Sequence, residues 1–236
     1  MINIKQKIIA TISSALALAL IHFTLNIVQW FIMRLGASFS GFEGDIVYNT
    51  FNSMAWSEEW TLMQVLWIYL APWLGLFFIY SGVNWRRKYP TSIKTTLQLV
   101  QSWAFALLLL QVFFMPLVDI LTKKGVYHAL NWLHIDYFIQ IVVGIMMWLY
   151  FIFKVTNVSA LFSTILDLPK KKPIKPKQIL FQLPAIWYIP ILFLTFVVYL
   201  SSNYSLPTNF HYYLYGLIFI VIVNTLVISR YDVIVK

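Results

Sequence analysis

Three polar side chains lie inside the first hydrophobic run of the chain, at a spacing that places them on one helix face. The run extends over 8–33, and His22, Asn26 and Gln29 follow one another within it at i, i+4 and i+7, which aligns them along one side of a helix. Imidazole and amide groups at this depth could bind a polar solute, relay protons or ligate a metal. The alternative is that they form hydrogen bonds that fix the packing of neighbouring helices.

The segment from His22 to Asn26 has the outline of the zinc-protease helix H-E-x-x-H without its chemistry. Phe23 stands where that motif has its general-base Glu, and Asn26 stands where it has the second His. An intact membrane metalloprotease is therefore disfavoured, and a degenerate, non-catalytic relative stays open. If the stripe is functional, we expect Gln101 and Gln111 of a later apolar run to face it.

A second candidate site consists of residues expected at the outer mouth of a membrane protein. Imidazole and carboxylate groups at one depth could hold a divalent cation or a haem. The alternative is that these histidines are only solvated or hydrogen-bonded. The sequence does not identify a metal, and we predict no cofactor. The cluster comprises Glu58, Glu59, His128, His134, Asp136 and His211.

The composition places both candidate sites in a membrane protein. The 236 residues are 61% hydrophobic and only 11% charged, which is typical of membrane proteins rather than of soluble domains. A net charge of +9 is of the kind found in nucleic-acid-binding proteins. The Lys and Arg residues, however, concentrate in alternate loops, as the positive-inside rule requires. We therefore expect no nucleic-acid partner.

Six apolar segments predict an all-α, polytopic integral membrane protein. We expect a single transmembrane domain over 1–236 with six transmembrane helices. With the N-terminus in the cytoplasm, 14 of the 17 basic residues fall inside, which predicts that both termini are cytoplasmic. The spans are predicted at about 8–33, 58–81, 96–121, 132–155, 184–201 and 210–228.

The loop between the first two spans predicts a short helix at the outer membrane interface. Asp45 is a favourable N-cap residue, and Val47, Phe51 and Met54 follow at i, i+4 and i+7. That spacing gives one apolar face, which is typical of a helix lying in the interface.

Prolines inside three spans are predicted helix breaks. Pro72, Pro116 and Pro190 each lack the N–H that a helix interior needs. Pro72 and Pro190 lie in the second and fifth spans, so they could also flank a binding site in an inverted-repeat transporter. Prolines are common in transmembrane helices, which is the alternative explanation.

A basic, proline-rich linker is predicted on the cytoplasmic side, over 167–183. Its prolines favour an extended chain. Its lysines predict contact with anionic lipid headgroups, at about 1 kcal/mol for each Lys near the surface. Docking of an acidic protein partner is the alternative. The lysines are Lys170, Lys171, Lys172, Lys175 and Lys177.

These patterns favour a non-catalytic integral membrane subunit of a larger inner-membrane complex. The loops are short, and no nucleophile elbow or phosphate-binding glycine loop occurs in the chain. The absence of cysteine excludes disulfides and thiolate chemistry. The first alternative is a small solute or ion permease or channel, and the second is a membrane metalloenzyme or a degenerate zinc-protease relative. The expected partners are the lipid bilayer and other membrane subunits, and the small size favours a bacterial inner membrane.

Overall fold

The computed structural model describes residues 4–39, 44–47, 50–53, 60–87, 95–165, 176–202 and 208–234. Helices account for most of these ranges. Two π-helical turns interrupt them: the first π-turn, Leu66–Leu70, joins α2 to α3, and the second π-turn, Leu110–Phe114, joins α4 to α5. The α-helices are α1 (Ile4–Phe39), α2 (Leu62–Val65), α3 (Ala71–Arg87), α4 (Thr95–Leu109), α5 (Met115–Thr122), α6 (Val126–Trp132), α7 (Tyr137–Ile165), α8 (Pro176–Ser201) and α9 (Thr208–Ile234).

Four helical stretches in the described residues are long and apolar enough to cross a membrane. They coincide with the first four predicted spans, so the chain has the helices of a membrane-embedded protein. The last two predicted spans correspond to shorter apolar stretches within α8 and α9. The count of six spans and their orientation stay predictions. The four stretches are Ile8–Ser38, Leu62–Asn84, Leu99–Thr122 and Tyr137–Thr156.

The β-hairpin β1–β2 corrects the prediction of an outer interfacial helix. Strand β1 covers Gly44–Val47 and β2 covers Thr50–Ser53, and they pair antiparallel with Ile46 opposite Phe51. The prediction was wrong because Val47 and Phe51 fit a helical period over a window too short to exclude period two. Two residues separate the strands, which is the length of the commonest hairpin connection. Met54 lies outside the described residues.

The start of the fourth predicted span is also different in the structure. Residues Val126–Trp132 form α6, and α7 begins only at Tyr137. Between them His134 adopts a left-handed backbone, with φ at +54°, which breaks the helix. The Asp136 carboxylate then accepts a hydrogen bond from the Phe138 N–H at 2.8 Å, as an N-cap residue does.

The second predicted span begins, in the described residues, at a capping box. The Gln64 backbone N–H donates to the Thr61 hydroxyl at 3.4 Å, and the Thr61 N–H donates to the Gln64 side chain at 2.7 Å. This reciprocal pair satisfies two donors at the start of a helix. Helix α2 therefore starts at Leu62.

One compact unit of the fold contains residues 1–21, 86–107 and 152–236. Its described core is organised around Trp103 of α4. The Trp103 indole N–H donates to the Ser14 hydroxyl of α1 at 2.9 Å, and its ring meets Trp187 of α8 edge-on, with centroids 5.9 Å apart. All three of these side chains are buried. This contact therefore ties α1, α4 and α8 together.

The other compact unit contains residues 22–85 and 108–151. Here α1 approaches the first π-turn and α3 closely, because glycines occupy the contact points. A Cβ on Gly36 would lie 2.8 Å from the Trp67 Cβ, and one on Gly75 would lie 2.6 Å from the Ile32 Cδ1. A larger residue at Gly36 would push α1 away from the first π-turn, because the Trp67 Cβ and backbone lie in its way, whereas at Gly75 the end of the Ile32 side chain could move aside.

Gly125 and Asp119 form the junction between α5 and α6 in this unit. Gly125 has a positive φ of +46° and lies so close to Asp119 that a Cβ would overlap the carboxylate. The Asp119 carboxylate accepts a hydrogen bond from the Val126 N–H at 3.2 Å. Glycine is required here by both backbone conformation and space.

The helix formed by α4, the second π-turn and α5 is the most enclosed of the four apolar stretches. Its most apolar window is 61% buried within the protein, against 22–28% for the other three stretches. Apolar side chains exposed on those stretches would lie against lipid in a membrane. Most of the side chains in this window are instead covered by other parts of the protein.

Candidate functional site

His22 and Asn26 form a hydrogen-bonded pair on α1. The imidazole of His22 is 2% exposed, and its Nε2 lies 2.9 Å from the Asn26 amide nitrogen. Because an amide nitrogen only donates, Nε2 accepts this bond and the ring of a neutral His22 carries its proton on Nδ1. Asn26 and Gln29 are half-buried. The predicted stripe thus combines one buried imidazole with two partly accessible amides.

Gln111 lies on the second π-turn and is buried. Its side chain is 8% exposed, and its Oε1 has no hydrogen-bond donor among the described residues. A buried amide oxygen without a donor is costly. A π-turn inserts one extra residue into a helix and often occurs at functional sites. Gln101, the other residue predicted to face the stripe, is half-buried on α4.

A hydrogen bond joins the second π-turn to α3, and Pro116 explains why a carbonyl of the turn is available for it. A proline cannot donate to the carbonyl four residues before it, here that of Val112. The Val112 carbonyl instead accepts a hydrogen bond from the Trp73 indole N–H at 2.9 Å. The Met115 N–H donates to the Leu110 carbonyl, five residues back, which defines the π-turn. The turn and the indole together accommodate the proline.

Aromatic side chains surround the same turn. Phe113 lies between Tyr80 of α3 and Tyr150 of α7, with ring centroids at 5.0 and 4.6 Å. The hydroxyl oxygens of the two tyrosines are 3.3 Å apart, within hydrogen-bonding distance. Such contacts between rings contribute beyond the area they bury. Phe113 therefore joins the second π-turn to both α3 and α7.

The first π-turn has the same relation to Pro72 that the second has to Pro116. In each case the proline is the second residue of the α-helix that follows the π-turn. Pro190 differs, because α8 continues through it as a regular α-helix and its side chain is buried. Two of the three predicted helix breaks thus follow π-helical turns.

His128 of the predicted outer-mouth cluster packs between two tyrosines. Its ring lies 5.1 Å from Tyr69 of the first π-turn and 5.7 Å from Tyr127. Tyr69 in turn stacks on Trp60 at 6.0 Å. Partial burial disfavours the charged imidazole and so lowers the pKa of His128 below its ordinary value of 6.5. His128 therefore acts as a neutral packing residue near neutral pH.

The described members of the rest of this cluster, His134, Asp136 and His211, are not brought together as a metal site. His134 and Asp136 are exposed at the turn before α7, and His211 is exposed on α9. Glu58 and Glu59 lie outside the described residues. Within the described ranges, no group of three or more His, Cys, Asp or Glu side chains is placed to hold a metal ion. The described part of the chain therefore supplies no donor set for the metalloenzyme alternative.

The basic linker falls mostly outside the described residues. Lys170, Lys171, Lys172 and Lys175 belong to that segment, and Lys177 lies in the first turn of α8. Its contact with lipid headgroups or with a partner stays a prediction.

Several residues that organise the site gave no signal in the sequence. Trp73 is 39 residues from the carbonyl that it binds, and only tertiary packing selects it. Tyr80 and Tyr150, and Ser14 with Trp103, are ordinary residues of apolar runs. The proline rule identifies Val112 as a carbonyl needing a donor, but it does not identify the donor.

Comparison with known proteins assigns no family. No protein-family model matches the chain, and no curated protein and no solved structure matches it. The functional argument therefore depends on the residues themselves.

Proposed function

We propose that this chain is a non-catalytic integral membrane subunit of a larger assembly in a bacterial inner membrane. Four described helices have the length and apolarity of membrane spans. The observation that supports a non-catalytic role is the way the buried polar groups are used. Ser14 bonds to a neighbouring helix, and His22 and Asn224 bond within their own helices, which are structural uses of buried polar groups.

Three buried or half-buried amides illustrate this use. Asn26 bonds to His22 one turn away, Gln140 donates to the Ile135 carbonyl at 2.8 Å, and Asn224 donates to the Ile220 carbonyl at 2.6 Å. These are local bonds, and a typical intramolecular hydrogen bond contributes about 0.5–1.5 kcal/mol to stability. They assemble no acid–base pair and no nucleophile, which leaves packing and binding as the roles that these residues support.

The partner surface that we propose is the basic segment over 167–183. Its charge suits an acidic cytoplasmic protein or anionic headgroups. The test is extraction of the full-length chain from its native host in a mild detergent, followed by native mass spectrometry. We expect other polypeptides in a fixed ratio to this chain. Recovery of the chain alone, or only as a homo-oligomer, contradicts the proposal.

Two charge variants locate the partner surface. Replacing Lys170, Lys171 and Lys172 with Ser is expected to remove the partner. The matched control is Lys123→Asn with Lys124→Ser, which removes charge from an exposed turn and is expected to keep the partner. His22→Ala is also expected to keep it. If both charge variants lose the partner equally, the docking assignment is wrong.

A small permease or channel is the second candidate, and one observation favours it. The Gln111 oxygen lacks a donor among the described residues although it is buried on the second π-turn. Transport proteins enclose polar groups of this kind at membrane depth. Flux of small neutral solutes and protons into reconstituted vesicles tests this candidate, and His22→Ala is expected to abolish any flux found.

A further inference from the structure

Two neighbouring residues of α6 contact the end of one apolar stretch and the start of the next. The Val126 N–H donates to the Asp119 carboxylate of α5 at 3.2 Å. The Tyr127 ring lies 6.2 Å from the ring of Tyr137, the first residue of α7. Asp119 lies three residues before the end of the stretch Leu99–Thr122. The end of α5 and the start of α7 therefore meet at α6.

Two residues with a left-handed backbone separate α6 from the helices on either side. Lys123 has a φ of +55°, and His134 has a φ of +54°. A residue in this conformation commonly ends an α-helix, so α6 does not continue α5, and α7 does not continue α6. The direction of α6 is thus independent of the direction of the two apolar helices.

A row of aromatic rings joins α6 to the second apolar stretch as well. Helix α6 packs against α2 and the first π-turn. The His128 ring lies 5.1 Å from Tyr69 and 5.7 Å from Tyr127, and Tyr69 stacks on Trp60. Together with Tyr137 these rings form an aromatic ridge across one end of the compact unit. Tyrosine and tryptophan combine an apolar ring with a polar tip, and they concentrate where a membrane meets water.

The exposed side chains change from apolar to polar where the chain enters and leaves this segment. Leu121 is 58% exposed and Phe138 is 72% exposed, as expected of residues that face acyl chains. Lys123 and Lys124, which follow Leu121, and Asp136, which precedes Phe138, are exposed as well. Lysines at the end of a membrane span extend their charged groups to the headgroups. The boundary between acyl chains and headgroups is therefore expected at both ends of 123–136.

We infer that α6 lies in the phospholipid headgroup layer, parallel to the membrane surface, and that its exposed residues bind this lipid surface. The described contacts bring α5, α7 and the first π-turn to α6, and the left-handed residues let it turn away from the spans. The aromatic ridge supplies side chains that the headgroup layer favours. On the predicted topology this is the outer face. This placement of α6 depends on the membrane spans and not on the subunit role, so the two proposals fail separately.

The test measures the depth of nitroxide labels in the full chain, in nanodiscs of phosphatidylethanolamine and phosphatidylglycerol. The chain has no cysteine, so one introduced cysteine gives one label. Lys124→Cys and Asn131→Cys place labels before α6 and near its end, and Phe138→Cys places one at the start of α7. Met146→Cys is the matched control, near the middle of the stretch Tyr137–Thr156. All four positions are exposed, so the labels do not displace core residues.

The depth of each label follows from its relative exposure to oxygen, which concentrates among acyl chains, and to a nickel complex, which stays in water. Phospholipids with a nitroxide on the headgroup or on the acyl chain calibrate the scale. We expect the Lys124 and Asn131 labels at the depth of the headgroup nitroxide, less than about 5 Å apart. Seven residues of a helix along the membrane normal would separate them by about 10 Å. The Phe138 label is expected deeper, and the Met146 label deeper again by up to about 12 Å.

Four results would overturn the placement of α6. A separation of about 10 Å between the Lys124 and Asn131 labels would show that α6 runs along the membrane normal. Equal access of both labels to nickel, at the level of a label in bulk water, would show that α6 is clear of the lipid. Shielding of both from oxygen and nickel alike would show that a second copy of the chain covers α6. A Met146 label outside the acyl layer would contradict the span itself.

Discussion

The helices around Pro116 and Pro190 accommodate a proline in two different ways. Before Pro116 the helix widens into a π-turn, and the carbonyl that the proline leaves without an intrahelical donor binds the Trp73 indole. Around Pro190 the α-helix continues without a π-turn. The same residue type, in two apolar helices, therefore produces a local change of helix geometry in one place and none in the other.

The difference shows that a proline does not determine the local geometry by itself. A proline removes one hydrogen bond wherever it occurs in a helix interior. Neighbouring helices, side chains and small helical adjustments satisfy the freed groups in membrane proteins. At Pro116 an indole from α3 lies within reach of the freed carbonyl. We infer that this external donor is what stabilises the wider turn.

Removal of the indole donor is the strongest test of this comparison. Trp73→Phe keeps an aromatic ring but leaves the buried Val112 carbonyl without its donor. The expected loss of stability is about 1–3 kcal/mol, the usual cost of an unsatisfied buried group. The measurement is the free energy of unfolding in mixed micelles of mild detergent and SDS.

Trp103→Phe is the matched control for this variant. It loses the same ring volume and one indole hydrogen bond, to the Ser14 hydroxyl. A serine in a helix can turn its hydroxyl to the carbonyl four residues earlier, so the partner is not left unsatisfied. We expect Trp73→Phe to cost about 1 kcal/mol more than Trp103→Phe. Equal costs would show that the Val112 carbonyl does not need the indole.

A double-mutant cycle sharpens the comparison further. Pro116→Ala restores an N–H that can donate to the Val112 carbonyl within the helix. In the Pro116→Ala variant the Val112 carbonyl has a donor within the helix. Trp73→Phe is therefore expected to reduce the free energy of unfolding by less than it does in the wild-type chain. The expected coupling energy is about 1 kcal/mol, within the range measured for residues in contact. If the losses of unfolding free energy from Trp73→Phe and Pro116→Ala are additive, the two residues do not act through the same Val112 carbonyl.

Pro190→Ala provides the other half of the comparison. Because α8 is regular at Pro190, the substitution restores a helix donor without converting a π-turn. We expect a change in unfolding free energy below about 0.5 kcal/mol, since a gained hydrogen bond offsets the lost buried ring. The same cycle with Trp73→Phe is expected to be additive, because Pro190 does not remove the helix donor of the Val112 carbonyl that Trp73 binds. If Pro190→Ala couples to Trp73→Phe as strongly as Pro116→Ala does, the two helices do not accommodate their prolines differently.

The sequence predicted the apolar helices well because their signal is long and uninterrupted. Four predicted spans coincide with described helices, and His22 is buried as a polar residue at mid-span should be. The hairpin was missed because Val47 and Phe51 satisfy two periods at once within a short loop. Local period alone cannot choose between them without the pairing partner.

The interpretation of Asp136 shows a different limit. An Asp just before an apolar run is a helix N-cap signal, and the structure uses it in that way for α7. Its proximity to His134 suggested a metal site instead. Trp73 and His128 could not be predicted as partners of the π-turns, because their contacts are set by helix packing across distant parts of the chain.

The smallest expected effect concerns His128, whose ring packs on Tyr69 of the first π-turn. Burial lowers the pKa of His128 below 6.5, so the folded protein binds fewer protons than the unfolded chain as the pH falls through 6.5. His128 therefore does not lower the free energy of unfolding above pH 6.5, and it lowers this free energy as the pH falls below 6.5. We expect a titration of the His128 ring by NMR to give a midpoint below 6.5, and acidification to weaken the folded state. His128→Gln should reduce this pH dependence by more than the control His211→Gln, which replaces a histidine at an exposed position. If His128→Gln leaves the pH dependence unaltered, protonation of His128 does not affect the stability of the fold. The contact between His128 and Tyr69 would then not distinguish the first π-turn from the regular helix at Pro190.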